Sequence, residues 1–384
     1  MKEMIRTLVY YLYSMMPKFN HAVVWGWPVG EDSSRILVEK LQETCLKRVI
    51  LLVTNVRDSA CLFEKCGRKA AVVNKRSLSA LWWFLTARYV FFTHRCFMRR
   101  FPKRVVSVNI WHGMPFKKIG WMLDGNEGIG SRHVLATSAF WAPVMQQAMR
   151  PSRSVLVTGL PRNDRLFSDR GQVLLKLGLS GRTDVAKIIA WLPTYRKSVR
   201  GEIRADGHET GSVFGIDAVT PVELNSFCKA HHVFIWVKPH PMSAFEHPVN
   251  LSHLIVMDDD GLSRQGLSLY ELLGASDALI SDISSVVIDF LLLDRPIIHC
   301  FPDLDAYRCS RGFTLEPVEN YFAGPVATSF TEVIREIERL LQGDDPSSAR
   351  RRLLCDLFHE KKDGTSTERL LAALNIPRQT VNLE

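Results

Sequence analysis

The sequence predicts an α/β protein made of two consecutive doubly wound units. Short apolar stretches alternate with helical patterns along the chain, as expected of parallel sheets with crossover helices. The 384 residues are too many for one ordinary core, and a second alternating series begins near Gly171. We therefore expect two domains, residues 1–168 and residues 169–384, with ligand sites at the carboxyl ends of their strands.

The first domain is predicted to hold seven strands, with helices between several of them. The pair Glu31-Asp32 gives an acidic start to a helix over 33–45, and Ser138 is the expected N-cap of a helix over 138–149. Another helix covers 77–87. The predicted strands are 21–27, 47–54, 69–75, 88–94, 104–111, 133–137 and 154–159.

The second domain follows the same pattern after a polar connection. Residues 198–217 are rich in glycine and have no period, which is typical of a long functional or disordered loop. In the closing stretch "KKDGTSTERLLAAL", Thr365 or Ser366 is the expected N-cap of a terminal helix. The predicted strands are 187–192, 232–238, 253–257, 278–281 and 296–300, and the helices include 221–230, 267–276, 284–293 and 329–341.

Composition narrows the class of protein and of partner. Hydrophobic residues make up 46% and charged residues 23%, the balance of a soluble globular protein. The formal net charge of +9 points to an anionic partner: nucleic acid, a phosphorylated substrate or an anionic membrane. The eight cysteines are scattered without a second Cys/His pair at metal-ligand spacing. We expect free thiols in a reducing cytoplasm.

No membrane crossing is expected. The N-terminal stretch "MKEMIRTLVYYLYSMMPK" has acidic Glu3 close to its start and no small-residue cleavage site, so it does not resemble a secretory signal. Its apolar run, residues 8–16, is too short to span a bilayer. Contact with a membrane surface stays open.

Chemically useful side chains cluster where the predicted strands end. Each cluster alone has an ordinary interpretation, since a histidine after a strand is usually a turn residue and "DISSV" is a capped helix start. Five clusters in order at strand ends favour a shared site instead. They are "NIWHGMPFKKIG", "TGLPRNDRL", "AWLPTYR", "VKPHP" and "SDISSVVIDF", and "CFPDLDAY" adds Asp303.

The combination points to handling of a diphosphate. A helix that begins at Ser284-Ser285 directly after a strand offers backbone N–H groups, hydroxyls and a positive dipole end. Arg196 and Lys238, after neighbouring strands, can supply cations to the same anion. No Cys/His metal set, glycine-rich dinucleotide fingerprint or P-loop sequence occurs, so we expect neither a metal nor a cofactor.

At these residues the sequence resembles a known family. "NIWHGMPFKKIG", "WLPTYR", "VKPHP", "SDISSVVIDFLLLDRPIIHCFPDLDAYRCSRGF" and the closing "DGTSTERLLAAL" are similar, in order and spacing, to motifs of the CDP-glycerol glycerophosphotransferase family. That family contains the primases and polymerases of wall teichoic acids and related capsule enzymes. The resemblance covers roughly residues 85–375, and the preceding residues show only a compatible pattern.

The resemblance implies a GT-B-like fold, two facing Rossmann-like domains with the active site in the cleft between them. Family members transfer a polyol phosphate from a CDP-activated donor to an acceptor hydroxyl and release CMP, without a required metal. The resemblance makes His112 the proposed general base and places His240 at the donor phosphates. It also implies that Ser284 and Ser285 bind the donor pyrophosphate.

The residues agree with this chemistry when they are considered by themselves. An acceptor hydroxyl that attacks the distal phosphorus needs a base, and imidazole suits neutral pH. Phosphoryl transfer then depends on positioning and on charge stabilisation. We assign donor binding to Arg196, Lys238, Asp282 and Asp303, where Asp282 orients the loop and Asp303 reaches a ribose or the polyol.

The acceptor side is predicted less sharply. Gly113 is expected to keep the backbone close to the acceptor without crowding it. Lys117 and Lys118 either hold an anionic acceptor or lie in water. Departures from the family pattern, such as Ile283 and His299 at positions where other residue types are usual, leave the choice between glycerol and ribitol donors open.

Residues 95–104, "RCFMRRFPKR", carry five cations interleaved with Phe97 and Phe101. They form either a solvated loop with packed phenylalanines or a contact with an anionic bilayer, and nucleic acid is disfavoured. Residues 8–16 either add to that anchoring or form a buried helix. We expect a CDP-polyol donor, a lipid-linked or glycan acceptor, and a cytoplasmic enzyme on the inner face of a bacterial membrane. Two rivals stay open: a nucleotide-sugar glycosyltransferase of the same fold, and a non-catalytic binding protein.

Overall fold

A computed structural model describes residues 2–28, 30–56, 69–94, 96–98, 100–123, 129–193, 214–216, 220–239, 249–310 and 312–379. The chain forms two compact units. Unit 1 comprises Met1–Met114, Ile119–Arg165 and His359–Glu384, and unit 2 comprises Pro115–Lys118 and Leu166–Phe358. The main division lies close to the predicted boundary at 168/169. The structure differs from the two predicted domains at two segments: 115–118 belongs to unit 2, and 359–384 belongs to unit 1.

Unit 1 contains a seven-stranded parallel sheet in the order β3-β2-β1-β4-β5-β6-β7. Most of its strands are apolar and have buried side chains on both faces, as parallel strands covered by helices require. The strands are β1 (Phe19–Trp25), β2 (Arg48–Val53), β3 (Ala70–Asn74), β4 (Ala87–Phe92), β5 (Val106–Asn109), β6 (His133–Ala136) and β7 (Ser154–Val157).

Unit 2 contains a second seven-stranded sheet, in the order β10-β11-β9-β8-β12-β13-β14. All its pairings are parallel except that of the edge strand β10. An α/β fold with two parallel sheets is therefore confirmed. The strands are β8 (Lys187–Leu192), β9 (Val233–Val237), β10 (Val249–Asn250), β11 (Leu254–Val256), β12 (Ala278–Ser281), β13 (Ile297–Cys300) and β14 (Val326–Ala327).

Helices connect most of the strands. In the described residues they are α1 (Lys2–Met15), α2 (Asp32–Gln42), α3 (Leu78–Thr86), α4 (Trp141–Met149), α5 (Arg170–Lys176), α6 (Pro221–Ala230), α7 (Asp259–Arg264), α8 (Leu269–Ala275), α9 (Ser285–Phe290), α10 (Leu304–Ser310), α11 (Phe330–Leu341), α12 (Ser348–Phe358) and α13 (Ser366–Ala373). The predicted helices over 33–45, 221–230 and 329–341 correspond closely to α2, α6 and α11.

The terminal helix α13 has its N-cap at a predicted residue, but another side chain caps it. Thr365 occupies the N-cap position of α13, but its side chain makes no capping hydrogen bond. The Asp164 carboxylate accepts from the backbone N–H groups of Ser366 (2.7 Å) and Thr367 (2.9 Å) instead. The free N–H groups of this helix are thus satisfied by a residue 202 positions earlier in the chain, within unit 1.

Each unit has its own apolar core. In unit 1, Tyr13 of α1 stacks on Phe84 of α3 with ring centroids 5.8 Å apart, and Phe101 packs against both rings. In unit 2, Trp191 and Phe214 belong to a cluster of side chains from β8, β9, β12 and β13. Burial of one such large apolar side chain stabilises the fold by about 2 kcal/mol. These cores hold the ends of the strands in place.

The aromatic residues of segment 95–104 belong partly to the unit 1 core. Phe97 contacts Trp25 and Phe84, and Phe101 stacks on Phe92. This agrees with the interpretation of packed phenylalanines, while Arg95 and Arg99 lie outside the described residues. Among the described residues, no helix is both long and apolar enough to cross a membrane. The six described cysteines are free thiols.

Candidate active site

The strand order of each sheet identifies where a ligand site is expected. In unit 1, β1 lies between β2 and β4. The strand order runs one way from β1 to β3 and the opposite way from β4 to β7, so it reverses between β1 and β4. Ligands of open α/β sheets bind at such a switch point, outside the carboxyl ends of the strands. Trp27 follows β1 and His94 follows β4, and their rings are in contact with centroids 4.9 Å apart.

His112 follows the neighbouring strand β5 on a tight turn. The predicted strand continues to Trp111, but β5 ends at Asn109 because the Asn109 side chain accepts a hydrogen bond from the Trp111 backbone N–H at 3.0 Å. Trp111 has φ of 36° and Gly113 has φ of 127°, in the region that favours glycine. Arg162 Nη1 donates to the His112 carbonyl at 2.7 Å. The turn that presents His112 is thus held from two sides.

The His112 ring lies in a stack of aromatic rings. The His94 ring is parallel to it, with centroids 4.5 Å apart and an interplanar angle of 2°, and the Trp111 ring lies 4.0 Å away. Burial lowers the pKa of His94 to about 4. His94 is therefore neutral at physiological pH, so His112 can accept a proton without facing a second positive ring.

The N-terminus of α2, also near the unit 1 switch point, is already occupied by a side chain of the chain itself. The Glu31 carboxylate accepts from the backbone N–H groups of Ser33 (2.9 Å) and Ser34 (2.6 Å). A Cβ atom at Gly26 would lie 2.2 Å from Ser34 Oγ, so a side chain there would force Ser34 to move. Burial raises the pKa of Glu31 to about 7. This helix start is filled rather than open to an anion.

In unit 2 the switch point lies between β8 and β12. A small cavity opens there, at the carboxyl ends of these strands. Asp282 directly follows β12, and the preceding Ser281 Oγ donates to the Leu192 carbonyl of β8 at 2.7 Å. The cavity is lined by Trp191, Pro193, Phe214, Gly215, Ser281, Asp282 and Cys300.

Lys238 follows β9, the neighbour of β8, at the same edge. Its backbone N–H donates to the Trp191 carbonyl at 3.1 Å, and its buried Nζ forms an ion pair with Asp259 Oδ1 at 3.0 Å. Asp259 is the first residue of α7. Lys238, which the sequence analysis assigns to donor binding, is therefore ion-paired with Asp259, a residue that the sequence analysis does not single out.

The predicted phosphate-binding residues follow β12 and β13. Ser284 is the N-cap of α9, as the sequence predicts, and its Oγ accepts from the Val286 N–H at 3.5 Å. Ser284 and Ser285 are half-buried, and Asp282 is buried. Asp303, also buried, precedes α10, and its carbonyl accepts from the Tyr307 N–H at 2.9 Å. Arg196 and His240 lie outside the described residues.

Lys117 and Lys118 belong to unit 2, whereas Gly113 belongs to unit 1. Segment 115–118 pairs with 312–314: Lys117 forms an antiparallel bridge with Phe313, and the Thr314 N–H donates to the Phe116 carbonyl at 2.7 Å. Lys117 is half-buried and Lys118 is exposed. The two lysines therefore extend from a short pairing inside unit 2.

Sequence reasoning missed three residues of this site and one helix cap in unit 1. The turn that presents His112 is held by Asn109 and Arg162. The ring stack contains His94, and the start of α13 is capped by Asp164. An asparagine two residues before a turn is a recognisable signal for Asn109. "TGLPRNDRL" is one of the motifs at strand ends, but nothing local in the sequence links Arg162 to His112 or Asp164 to Ser366.

Comparison with known proteins gives one family. The sequence model of the CDP-glycerol:poly(glycerophosphate) glycerophosphotransferase family matches residues 21–375. A teichoic acid ribitol-phosphate primase from Bacillus spizizenii is 25% identical over 364 residues, which cover 88% of this chain and 86% of the primase. The teichoic acid ribitol-phosphate polymerase TarK from Staphylococcus aureus is 26% identical over 291 residues, 72% of this chain. The match spans only 53% of that polymerase.

A solved structure shares the fold. The wall teichoic acid polymerase TagF superposes with a TM-score of 0.73 at 18% identity, over 97% of both chains. A variant of TagF soaked with CDPG superposes with the same TM-score. At this level of identity the likeness concerns the fold alone.

Proposed function

This chain belongs to the CDP-glycerol:poly(glycerophosphate) glycerophosphotransferase family, as its motifs predict, and from that premise we propose its reaction. It transfers a polyol phosphate, glycerol phosphate in the first instance, from a CDP-activated donor to an acceptor hydroxyl and releases CMP. The observation that carries the proposal is His112, held on a tight turn at the carboxyl edge of the unit 1 sheet.

In the proposed step, the acceptor oxygen forms a bond to the distal phosphorus of the donor while the bond from that phosphorus to the CMP oxygen breaks. His112 takes the acceptor proton, since a neutral imidazole is a suitable base near pH 7. Its neutral stacking partner His94 allows the imidazolium to form. The leaving CMP carries the negative charge that the donor side must stabilise.

The donor side is assigned to unit 2. Lys238 at the end of β9 and the loop after β12 lie at the edge where a ligand of this sheet is expected. Arg196, His240 and Asp303 complete the proposed set, with Ser284 and Ser285 at the pyrophosphate. A GT-B-like arrangement, in which both carboxyl edges serve one active site in the interdomain cleft, is part of the proposal. Gly113, Lys117 and Lys118 are assigned to the acceptor.

The acceptor is proposed to be lipid-linked, with the enzyme on the inner face of the bacterial cell membrane. The support is an exposed apolar face on α1, formed by Leu8, Tyr11, Leu12 and Met15. These residues lie at i, i+3, i+4 and i+7, which places them on one side of the helix. The opposite side is anchored in the core by Tyr13.

A second exposed apolar face lies on α3, the helix against which Tyr13 of α1 packs. Leu78, Leu81 and Trp82 are exposed there, with Leu78 86% exposed. Exposed Arg76 and Arg88 flank this helix in the sequence. Apolar side chains between cations suit the boundary of an anionic bilayer. Binding to phosphatidylglycerol vesicles that is lost in Leu12→Glu, and absent with phosphatidylcholine vesicles, would support this part.

The decisive experiment for the reaction is a donor panel. Purified protein is incubated with CDP-glycerol, CDP-ribitol, UDP-sugars and GDP-sugars, together with a lipid-linked acceptor, and nucleotide release is measured. We expect CMP from a CDP-polyol. Turnover with a UDP- or GDP-sugar alone would favour the rival glycosyltransferase, and absence of turnover with every donor would favour a binding protein.

A further inference from the structure

His299 is a buried histidine that the proposed reaction does not use. It lies in β13 with 1% of its surface exposed, and both ring nitrogens are hydrogen-bonded to backbone groups. Nδ1 lies 2.9 Å from the Asp282 carbonyl, and the Ala323 N–H donates to Nε2 at 2.9 Å. The ring therefore joins the loop after β12 to the segment before β14.

These two partners define the protonation of the ring. A backbone N–H can only donate, so Nε2 carries no proton and accepts from Ala323. Nδ1 then carries the proton and donates to the Asp282 carbonyl. Burial lowers the pKa of His299 to about 4, which keeps this neutral tautomer at physiological pH. Both ring nitrogens of His299 are therefore hydrogen-bonded.

The segment around Ala323, which donates to His299 Nε2, is held in place by further contacts. Arg350 Nε of α12 donates to the Phe322 carbonyl at 2.7 Å, directly before Ala323. The His299 N–H donates to the Pro325 carbonyl at 2.8 Å. A Cβ atom at Gly324 would lie 1.7 Å from the Ile297 carbonyl oxygen, so the segment runs against β13 as closely as a backbone can. His299 thus rests on a fixed support.

The Asp282 side leads directly into the proposed donor loop. Asp282 is the first residue after β12 and lines the cavity at the switch point. Two residues later Ser284 caps α9, and Ser285 is the first residue of that helix. A hydrogen bond to the Asp282 carbonyl fixes the orientation of the following peptide plane, and with it the course of the chain to Ser284.

We propose that His299 is a positioning residue, which holds the 282–285 loop in its donor-binding conformation through the hydrogen bond from Nδ1 to the Asp282 carbonyl. The inference rests on the proposed function, in which this loop binds the donor pyrophosphate. His299 itself does not touch the donor. Its effect is on donor affinity rather than on the chemical step.

Two substitutions separate the two hydrogen bonds of the ring. An asparagine amide reaches the position of Nδ1, so His299→Asn keeps a donor for Asp282 and loses the acceptor for Ala323. A glutamine amide reaches the position of Nε2, so His299→Gln keeps the acceptor and loses the donor. Each variant loses one buried hydrogen bond, and we expect similar losses of thermal stability from the two. His299→Phe removes both bonds with a ring of similar size.

The measurement is the Kd for CDP-glycerol by calorimetry, with KM and kcat for CMP release. We expect His299→Gln and His299→Phe to raise the Kd and KM for the donor about tenfold, with kcat changed much less. His299→Asn should raise them several-fold less than His299→Gln. Equal donor affinities in the asparagine and glutamine variants, at matched stability, would overturn the inference.

Two further readouts separate this inference from the proposed function. A wild-type protein that binds CDP-glycerol but transfers nothing would contradict the proposed reaction, while the order of affinities would still decide the role of His299. Wild-type protein that binds no CDP-glycerol would overturn both. If a variant does not fold, ring nitrogen NMR of the wild type decides: His299 in the Nε2–H or the charged form at pH 7 contradicts the proposed link.

Discussion

The carboxyl edges of the two sheets are built on similar strand orders but end in different chemistry. Apart from the antiparallel edge strand β10, the six strands of the unit 2 sheet follow the order of β3-β2-β1-β4-β5-β6 in unit 1, and β7 has no counterpart among them. In unit 1 the strands end in rings that contact one another: His94 stacks on His112, and Trp27 meets His94 edge to face. In unit 2 they end in buried charges and hydroxyls, such as Lys238 and Asp282.

The difference separates what the fold supplies from what the residues supply. The same open sheet creates a crevice at its switch point in both units. A stack that contains a neutral imidazole suits a proton acceptor, because the neighbouring His94 ring carries no positive charge at physiological pH. A buried lysine beside a capped loop suits an anion instead. We expect substitutions in unit 1 to affect kcat and those among the described residues of unit 2 to affect donor KM.

The largest effect is expected from removal of the proposed base. His112→Ala should lower kcat by about 10²–10⁴, because general-base catalysis contributes that much. His240→Ala, on the donor side, should also abolish detectable transfer. CMP release is measured with CDP-glycerol at saturation, with the exposed His231→Ala as the matched control. Normal activity of His112→Ala in a folded protein would contradict the assignment of the general base to unit 1.

The next prediction tests the charge in unit 2. Lys238→Met should raise the donor KM by at least about tenfold, since it removes a cation placed for phosphate. Asp259→Asn breaks the same ion pair but keeps the lysine, so its effect on KM should be clearly smaller. Steady-state kinetics with varied CDP-glycerol gives both values. Equal effects of the two substitutions would make the pair purely structural.

A smaller effect on kcat is expected at Arg162. Arg162→Met keeps a long side chain but removes the hydrogen bond to the His112 carbonyl. A charge-assisted bond of this kind contributes about 2 kcal/mol, so kcat should fall by up to about thirtyfold with little change in donor KM. Arg153→Met, at an exposed arginine directly before β7 in unit 1, serves as a control. A rise in donor KM without a fall in kcat would contradict the division between the units.

The ring stack is tested by pH as well as by activity. His94→Phe should keep most of the kcat that His94→Ala loses, because phenylalanine preserves a neutral ring under His112. Folded His94 stays neutral down to about pH 4, whereas the unfolded chain takes up a proton near pH 6.5. The unfolded state therefore binds more protons in between, and stability is lost as pH falls from 6.5 towards 4. His94→Phe should flatten that part of the melting-temperature curve, and an unchanged curve would argue against the buried, neutral ring.

Glu31 should have the smallest effect on activity, and a pH dependence of stability opposite to that of His94. Its pKa is raised from 4.5 to about 7 in the folded protein, so above pH 4.5 the unfolded state loses its proton first. Stability is then present below pH 4.5 and is lost as pH rises towards 7. Glu31→Gln should remove this loss, on the order of 2 kcal/mol, as measured by denaturant unfolding at pH 5 and pH 8. A variant that tracks the wild type at both pH values would contradict the raised pKa.

Sequence reasoning recovers the parts of this molecule that are written in local patterns. The two parallel sheets, most helices and the cap at Ser284 follow from periodicity and capping signals. The stack of His94 on His112 does not, because it depends on the pairing of β4 with β5 and on the register Phe92↔Asn109. Those are tertiary facts with no local signature.

The same reason explains the other surprises. The contact of Arg162 with the His112 carbonyl joins residues 50 positions apart, and the Asp164 cap of α13 joins residues 202 apart. The early end of β5 at Asn109 could have been foreseen, since asparagine readily bonds to the backbone two residues on.

Segment 359–384 belongs to unit 1 although it follows unit 2 in the sequence, and this affects the order in which the units can fold during synthesis. Helix α13 belongs to unit 1 but is synthesised after all of unit 2. While residues 166–358 are being synthesised, the Asp164 carboxylate lacks the N–H groups of α13 that it caps in the folded protein. Because a domain generally folds as a unit, unit 1 can complete its fold only after unit 2 has been synthesised and α13 has followed it.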